Sequence, residues 1–214
     1  MRIKVCGMRN SGNIVDLANL NPDYLGLIFY QYSKRYVGNL DKVLLNSLPQ
    51  SIKLTGVFVD EEIEEVIEMA LEYNLNALQL HGSESVAYCQ QLKNDLSIKA
   101  PSKKIDLLKA FGISSTFNFG VLKPYNDVVD YFLFDTKTEG HGGSGLIFDW
   151  RKLEDYKEEK PFFLSGGLSL ENIQEVHELA LEHLYGVDLN SKFEIEPGLK
   201  DIESLQSAFD IIRK

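Results

Sequence analysis

A thiol, a carboxyl group, a guanidinium group and two glycine-rich turns recur at matched places along the 214 residues, each directly after a short apolar run. Cys6 and Gly7 follow IKV. Arg35 lies in YQYSKRYVG, just after DYLGLIF. His81 and Gly82 follow ALQL. Asp135 closes YFLF and leads into TKTEGHGGSG. Gly166 and Gly167 follow FFLS, and Asp188, Asn190 and Ser191 follow LYGV. A thiol and a carboxyl group are side chains that take up and release protons. Arginine offers a planar fork to a carboxylate or phosphate. Paired glycines between a strand and a helix let backbone amides approach an anion closely, and the helix dipole favours negative charge there.

Each of these residues also has an ordinary structural use. A cysteine at a strand end serves as a small buried hydrophobe. An aspartate such as Asp135 caps a turn or helix. Arg35 in a polar loop suits solvent, and His81 suits a hydrogen-bonded strand end. His141, His177 and His183 lack companion ligands, so no metal is expected at them. Cys89 in SVAYCQQL reads as packing, and Trp150 in IFDW as an anchor for the sixth helix. Two cysteines make neither a disulfide framework nor a zinc site.

The elements that position these groups repeat along the chain. Apolar runs occur at Ile3–Cys6, Tyr24–Phe29, Leu54–Val59, Ala77–Leu80, Leu107–Phe111, Tyr131–Phe134, Phe162–Leu164 and Leu184–Val187. They are continuous rather than alternating, as strands buried on both faces are. Ser97–Ala100 is the alternative for the fifth strand. Helical patterns fill the gaps. Asp60 can cap a helix with Ile63, Val66, Ile67, Ala70 and Leu71 on one face. Glu84–Leu92, Leu170–Leu181 and Asp201–Ile212 read the same way. Eight strand–helix units with no linker predict an α/β fold, a single (β/α)8 (TIM) barrel domain spanning 1–214. An open doubly wound sheet is the alternative, but eight units favour closure. Barrel active sites gather at the C-terminal strand ends, where all the groups above fall.

Hydrophobic residues form 44% and charged residues 25% of the chain, which excludes a disordered chain. With 22 basic and 32 acidic residues the net charge is −10, which argues against nucleic acid as a partner. No apolar run approaches the ~18 residues of a membrane span. MRIKVCGMRN enters a strand directly and lacks a secretory h-region, so no membrane partner and a cytoplasmic location are expected. A monomer is the expected state.

Several segments together carry a specific resemblance. KVCGM at 4–8, DYLGLIF at 23–29, SKRYV at 33–37 and GVFVD at 56–60 come first. LQLHGSE at 78–84, LFDTKTEGHGGSGLIFDW at 133–150, SGGLSLENI at 165–173 and GVDLNSKFEIEPGLKD at 186–201 follow. As an ordered set running from the first strand to the last helix, they resemble the phosphoribosylanthranilate isomerase family of tryptophan biosynthesis.

The resemblance implies a (β/α)8 barrel and an Amadori rearrangement that uses no cofactor and no metal. The phosphorylated small-molecule substrate would be N-(5-phosphoribosyl)anthranilate, and the product 1-(2-carboxyphenylamino)-1-deoxyribulose 5-phosphate. It further implies that Cys6 is the general base and Asp135 the general acid. Arg35 would meet the anthranilate carboxylate, and Gly166, Gly167, Asp188, Asn190 and Ser191 would lie at the phosphate end. Gln79, His81 and Gly143 join the substrate-binding set. Two positions depart from the family pattern: Lys34 replaces a proline, which frees the loop backbone before Arg35, and Lys192 replaces a glycine near the phosphate. Another sugar-phosphate enzyme of this architecture is the runner-up. A pentose-phosphate epimerase needs metal ligands that are not apparent, and indole-glycerol-phosphate synthase needs a catalytic lysine, for which Lys4 is the nearest residue. A non-catalytic phosphosugar-binding barrel would keep the phosphate loops without Cys6 and Asp135.

Overall fold

The computed structural model describes residues 1–136, 150–179 and 181–214. Eight parallel strands follow one another around a closed ring. They are β1 (Arg2–Cys6), β2 (Tyr24–Ile28), β3 (Lys53–Phe58), β4 (Ala77–Leu80), β5 (Asp106–Ile113), β6 (Tyr131–Thr136), β7 (Phe162–Ser165) and β8 (Leu184–Leu189). The ring shuts where β1 meets β8, with Lys4 opposite Asp188 and Val5 opposite Leu189.

Successive side chains of a strand point to opposite faces. Val5, Leu25, Leu27, Phe132, Phe134 and Leu164 belong to the large cluster shared with the helices. Tyr24, Ala77, Leu108, Ala110, Leu133 and Phe163 form a second, inner cluster. Its rings meet edge-on, Tyr24 to Phe163 and Phe163 to Tyr185 both at 5.2 Å. Tyr24, Tyr131 and Tyr185 sit at or beside the first residue of their strands, so this aromatic plug closes the N-terminal end of the barrel. The C-terminal end is left to polar groups.

The helices are α1 (Ser11–Asn19), α2 (Lys42–Ser47), α3 (Ile63–Glu72), α4 (Val86–Lys99), α5 (Glu175–Glu178) and α6 (Ile202–Ile212). Side-chain caps start several of them: Asn10 accepts from Asn13 N, Ser85 from Tyr88 N, and Asp201 from Ser204 N. Most of each expected apolar face is present, with Val66, Ile67 and Ala70 buried on α3 and Leu205, Ala208, Phe209 and Ile212 on α6; Leu71, expected on the α3 face, is exposed instead. Short 3₁₀ helices, Phe119–Tyr125 and Trp150–Asp155, stand where two connecting helices would be. Trp150 is buried in the helical layer and opens the second of these. A short ribbon, β9 (Glu194–Glu196) with β10 (Leu199–Lys200), follows β8. Among the described residues no helix is long and apolar enough to cross a membrane.

The fifth strand, Asp106–Ile113, falls on the expected run Leu107–Phe111, and the alternative segment Ser97–Ala100 ends α4, which runs well past Leu92. Other local expectations change. Asp60 does not cap α3. It sits at φ 50 and accepts from Ser83 N at 2.6 Å and Ser83 Oγ at 2.8 Å, tying two loops together. Glu84 is not helical; its carboxylate accepts from Asp60 N and Gly82 N and pairs with buried Lys109 at 3.1 Å. The helix expected over Leu170–Leu181 is reduced to α5. Asn172 accepts from Ser169 N and donates to Gly167 O, and such local side-chain bonds compete with the helical ladder.

Candidate active site

A cavity of about 290 Å³ opens at the C-terminal strand ends. Its wall includes Cys6 from β1, Gln79 from β4 with His81 just beyond it, Asp135 from β6, Ser165 from β7 and Asp188 from β8. Loops add Arg35, Gly166, Gly167, Asn190 and Ser191. The structure thus brings ten of the eleven sequence-predicted site residues to one cavity. Gly143 lies outside the described residues, as does His141.

Cys6 reaches the wall because β2 carries no side chain beside it. A Cβ on Gly26 would come within 2.7 Å of Cys6 Sγ. The thiol is buried, and burial raises its pKa above the ordinary thiol value. The ammonium groups of Lys4 and Lys200 pull the other way by favouring the thiolate, while Asp188 opposes them. Lys4 lies two residues before Cys6 on the same strand face and is fully buried, donating to Asp188 Oδ1 at 2.9 Å. Burial disfavours that ammonium, but the Asp188 carboxylate keeps Lys4 charged, above its ordinary range. Asp188 therefore answers a lysine rather than an anionic ligand. With the thiol pKa raised, the thiolate fraction near neutrality is small and grows with pH. Inactivation by iodoacetamide should accelerate by about tenfold per pH unit through the neutral range, because only the thiolate attacks. A rate already flat at pH 7 would show a thiol ionised in the resting protein.

Asp135 faces His81, with Oδ2 3.6 Å from Nε2. The other ring nitrogen, Nδ1, lies 2.8 Å from the Nε2 amide nitrogen of buried Gln79. The Gln79 amide thus orients the ring, with Nε2 on the side of Asp135. The two acidic and imidazole side chains are 32% and 35% exposed, open enough to exchange protons with water.

Arg35 enters over the first loop. Gly7 has φ +81, and a Cβ there would come within 2.7 Å of Arg35 Cδ. Its loop is held without a proline: Ser33 N donates to Tyr30 O, Tyr36 N to Ser33 O, Arg35 N to Ser33 Oγ, and Arg9 Nη1 to Lys34 O. The guanidinium rests on Glu194, from Nε at 2.8 Å and Nη2 at 2.6 Å. Glu194 also accepts from Lys200 Nζ at 2.7 Å, and Lys200 donates to Asn190 Oδ1 at 2.7 Å. Burial alone would raise the Glu194 carboxyl, but Arg35 and Lys200 hold it at about 2.

At the remaining part of the wall, Gly166 and Gly167 take φ +86 and +74, a left-handed pair that other residues adopt only under strain. The next α-helix, α5, begins only at Glu175 and is four residues long. Among the described residues an anion site here rests on the glycine loop and Ser191, and the expected helix dipole does not contribute. Lys192 is exposed and is not part of the cavity wall. Its charge is felt at the exposed Glu171 carboxyl, which is lowered mainly by Ser169 and more weakly by Lys192. Lys192→Gly should leave competitive inhibition by inorganic phosphate within about twofold. A tenfold loss, about 1.4 kcal/mol, would place the ammonium on the anion.

Sequence reasoning passed over Glu194 and Lys200 altogether, although both lie in GVDLNSKFEIEPGLKD. For Lys4 the two-residue spacing to Cys6 was the available signal.

The chain resembles known proteins over nearly its whole length. Residues 3–210 match the family model described as N-(5'phosphoribosyl)anthranilate (PRA) isomerase. An N-(5'-phosphoribosyl)anthranilate isomerase of Parabacteroides distasonis is 45% identical over 97% of this chain and 91% of its own. Among solved structures, the phosphoribosyl anthranilate isomerase of Thermotoga maritima superimposes with a TM-score of 0.82 at 31% identity, covering 100% of this chain and 98% of that one. A phosphoribosyl anthranilate isomerase in complex with reduced 1-(o-carboxyphenylamino)-1-deoxyribulose 5-phosphate gives 0.78 at 27% identity, with coverages of 100% and 98%.

Proposed function

The chain belongs to the N-(5'-phosphoribosyl)anthranilate isomerase family, and from that premise we propose that Cys6 and Asp135 are the proton-transfer pair of its reaction. The protein is an isomerase of tryptophan biosynthesis. It converts N-(5'-phosphoribosyl)anthranilate, a phosphorylated small molecule, into 1-(2-carboxyphenylamino)-1-deoxyribulose 5-phosphate.

The first stage of the reaction needs one proton given by an acid and one taken by a base. An acid protonates the ribose ring oxygen as its bond to C1 breaks, and the nitrogen lone pair forms an iminium ion. A base then removes the C2 proton, now acidified, to give an enolamine. Return of a proton to C1 and loss of the enol proton give the ketone. The single observation that supports the assignment is that one thiol and one partly exposed carboxyl group, on β1 and β6, share a cavity. Asp135 would deliver the first proton and be reloaded from solvent. His81, with Nε2 toward it, would stabilise the carboxylate left behind. Cys6 would take the C2 proton through its thiolate form, a small fraction that burial holds down and that Lys4 and Lys200 partly restore.

Gly166, Gly167 and Ser191 suit the substrate phosphate, and Arg35 suits the anthranilate carboxylate, which a guanidinium holds bidentately. Arg35→Met should raise KM by about tenfold or more and lower kcat less, since the change removes recognition rather than proton transfer. Unchanged KM and kcat would place carboxylate recognition elsewhere. The whole reading is tested by adding purified protein to freshly made phosphoribosylanthranilate and following the loss of anthranilate-type fluorescence; absence of turnover would refute it.

Both cysteines are free, which fits work in the reducing cytoplasm.

A further inference from the structure

We propose that Glu194 is a positioning residue for substrate recognition: it fixes the guanidinium of Arg35 so that its second edge faces the ligand. The inference rests on the reading of Arg35 as the anthranilate-carboxylate binder.

A guanidinium carries five N–H groups in a fixed plane. Glu194 takes one edge, with Arg35 Nε at 2.8 Å from Oε1 and Nη2 at 2.6 Å from Oε2. That edge uses Nε–H and one hydrogen of Nη2. Among the described residues both hydrogens of Nη1 and the second of Nη2 remain, and one from each nitrogen forms the other fork that matches a carboxylate. Arg35 belongs to the cavity wall, while the Glu194 side chain is only 4% exposed and lies behind it.

Glu194 is itself immobilised. Its Oε1 accepts from Lys200 Nζ at 2.7 Å and from Gly198 N at 3.1 Å. Lys200 is fully buried, and Asn190 Oδ1 holds it from the other side at 2.7 Å. The stem of Arg35 is fixed as well, because its Cδ crosses Gly7 where a Cβ would clash. A long, rotamer-rich side chain is therefore held at stem and head before any ligand arrives, and binding does not have to order it.

Charge also fits this role. A lone carboxylate beside the binding arginine would cancel its attraction for an anion. Lys200 restores it, so Arg35, Glu194 and Lys200 together keep one net positive charge. Glu194 supplies geometry and Lys200 supplies the compensating cation.

Two variants and two probes test the proposal. Glu194→Gln loses the paired charge. Glu194→Asp keeps the charge opposite Lys200 but withdraws the oxygens from Arg35 by one carbon, so it covers a folding failure of the first. Anthranilate, as a competitive inhibitor, reports the carboxylate end, and inorganic phosphate reports the other. Both variants should weaken anthranilate inhibition and raise KM by about tenfold, with phosphate inhibition within about twofold and kcat within about threefold. Equal weakening of both probes, or no change in either, overturns the proposal. Arg35→Met separates it from its premise. If Arg35→Met weakens anthranilate and neither Glu194 variant does, the positioning role fails while the Arg35 reading stands. If Arg35→Met leaves anthranilate inhibition intact, the Arg35 reading itself fails.

Discussion

Asp135→Asn is expected to lower turnover by about 10³-fold or more while still binding the reduced product analogue within about twofold of wild type. The argument rests on what an amide can and cannot do in this place. Oδ2 of Asp135 lies 3.6 Å from His81 Nε2, and the histidine is oriented from behind by Gln79 at 2.8 Å. The asparagine amide fills the same space beside Nε2 and Gln79 still orients the ring, so the shape of the wall survives. The amide has no proton of comparable acidity to give to the ring oxygen as the C1–O bond breaks. Ring opening is then left to water, and the loss falls on kcat. Asp135 is also one-third exposed, so replacing it leaves no buried charge without a partner. Turnover above about a tenth of wild type, with normal analogue binding, would remove Asp135 from the acid role. Joint loss of binding and activity would assign it to the architecture of the mouth instead.

How much of this site could be read from the sequence depends on where each residue's partner lies. The strands were legible because both faces of a barrel strand are covered, which leaves continuous apolar runs such as YFLF and FFLS. Cys6, His81, Asp135, Gly166 and Asp188 were legible because each breaks such a run at the end where the cavity opens. Lys4 was less so: it lies inside a strand, and an isolated lysine reads as solvent-facing. Its burial becomes intelligible only when ring closure sets it opposite Asp188, 184 residues away. Glu194 and Arg35 are 159 residues apart, and nothing in SKFEIEP marks the glutamate as a partner. Local chemistry misled where it had two uses. Asp60 reads as a helix cap, yet it binds Ser83 across a loop junction. Asn172 lies in a helical pattern, yet its side chain satisfies the glycine loop. The sequence showed which groups gather at one end of the barrel, and only the closed ring shows which of them hold one another.

Cys6→Ala should keep the fold and lose activity by on the order of 10²-fold or more. Truncation removes one sulfur atom from a buried position, a small void that costs on the order of 1 kcal/mol. It strands no charge, because Lys4 stays paired with Asp188 at 2.9 Å and Lys200 with Glu194 at 2.7 Å. Near-native melting should therefore accompany the loss of turnover. What disappears is the group that removes the C2 proton. Ring opening by Asp135 still proceeds, so the iminium forms and returns, and proton abstraction becomes the slowest step. The substrate deuterated at C2 distinguishes this from a general loss of function. The deuterium isotope effect on kcat should be larger in Cys6→Ala than in wild type, and no larger in Asp135→Asn, where ring opening limits. Cys6→Ser carries the argument one step further. The hydroxyl keeps nearly the same shape, but it is a far weaker acid than a thiol, so its ionised fraction is far smaller still. It should be no better than Cys6→Ala. A serine variant as active as wild type would mean that this position supplies packing and not a base.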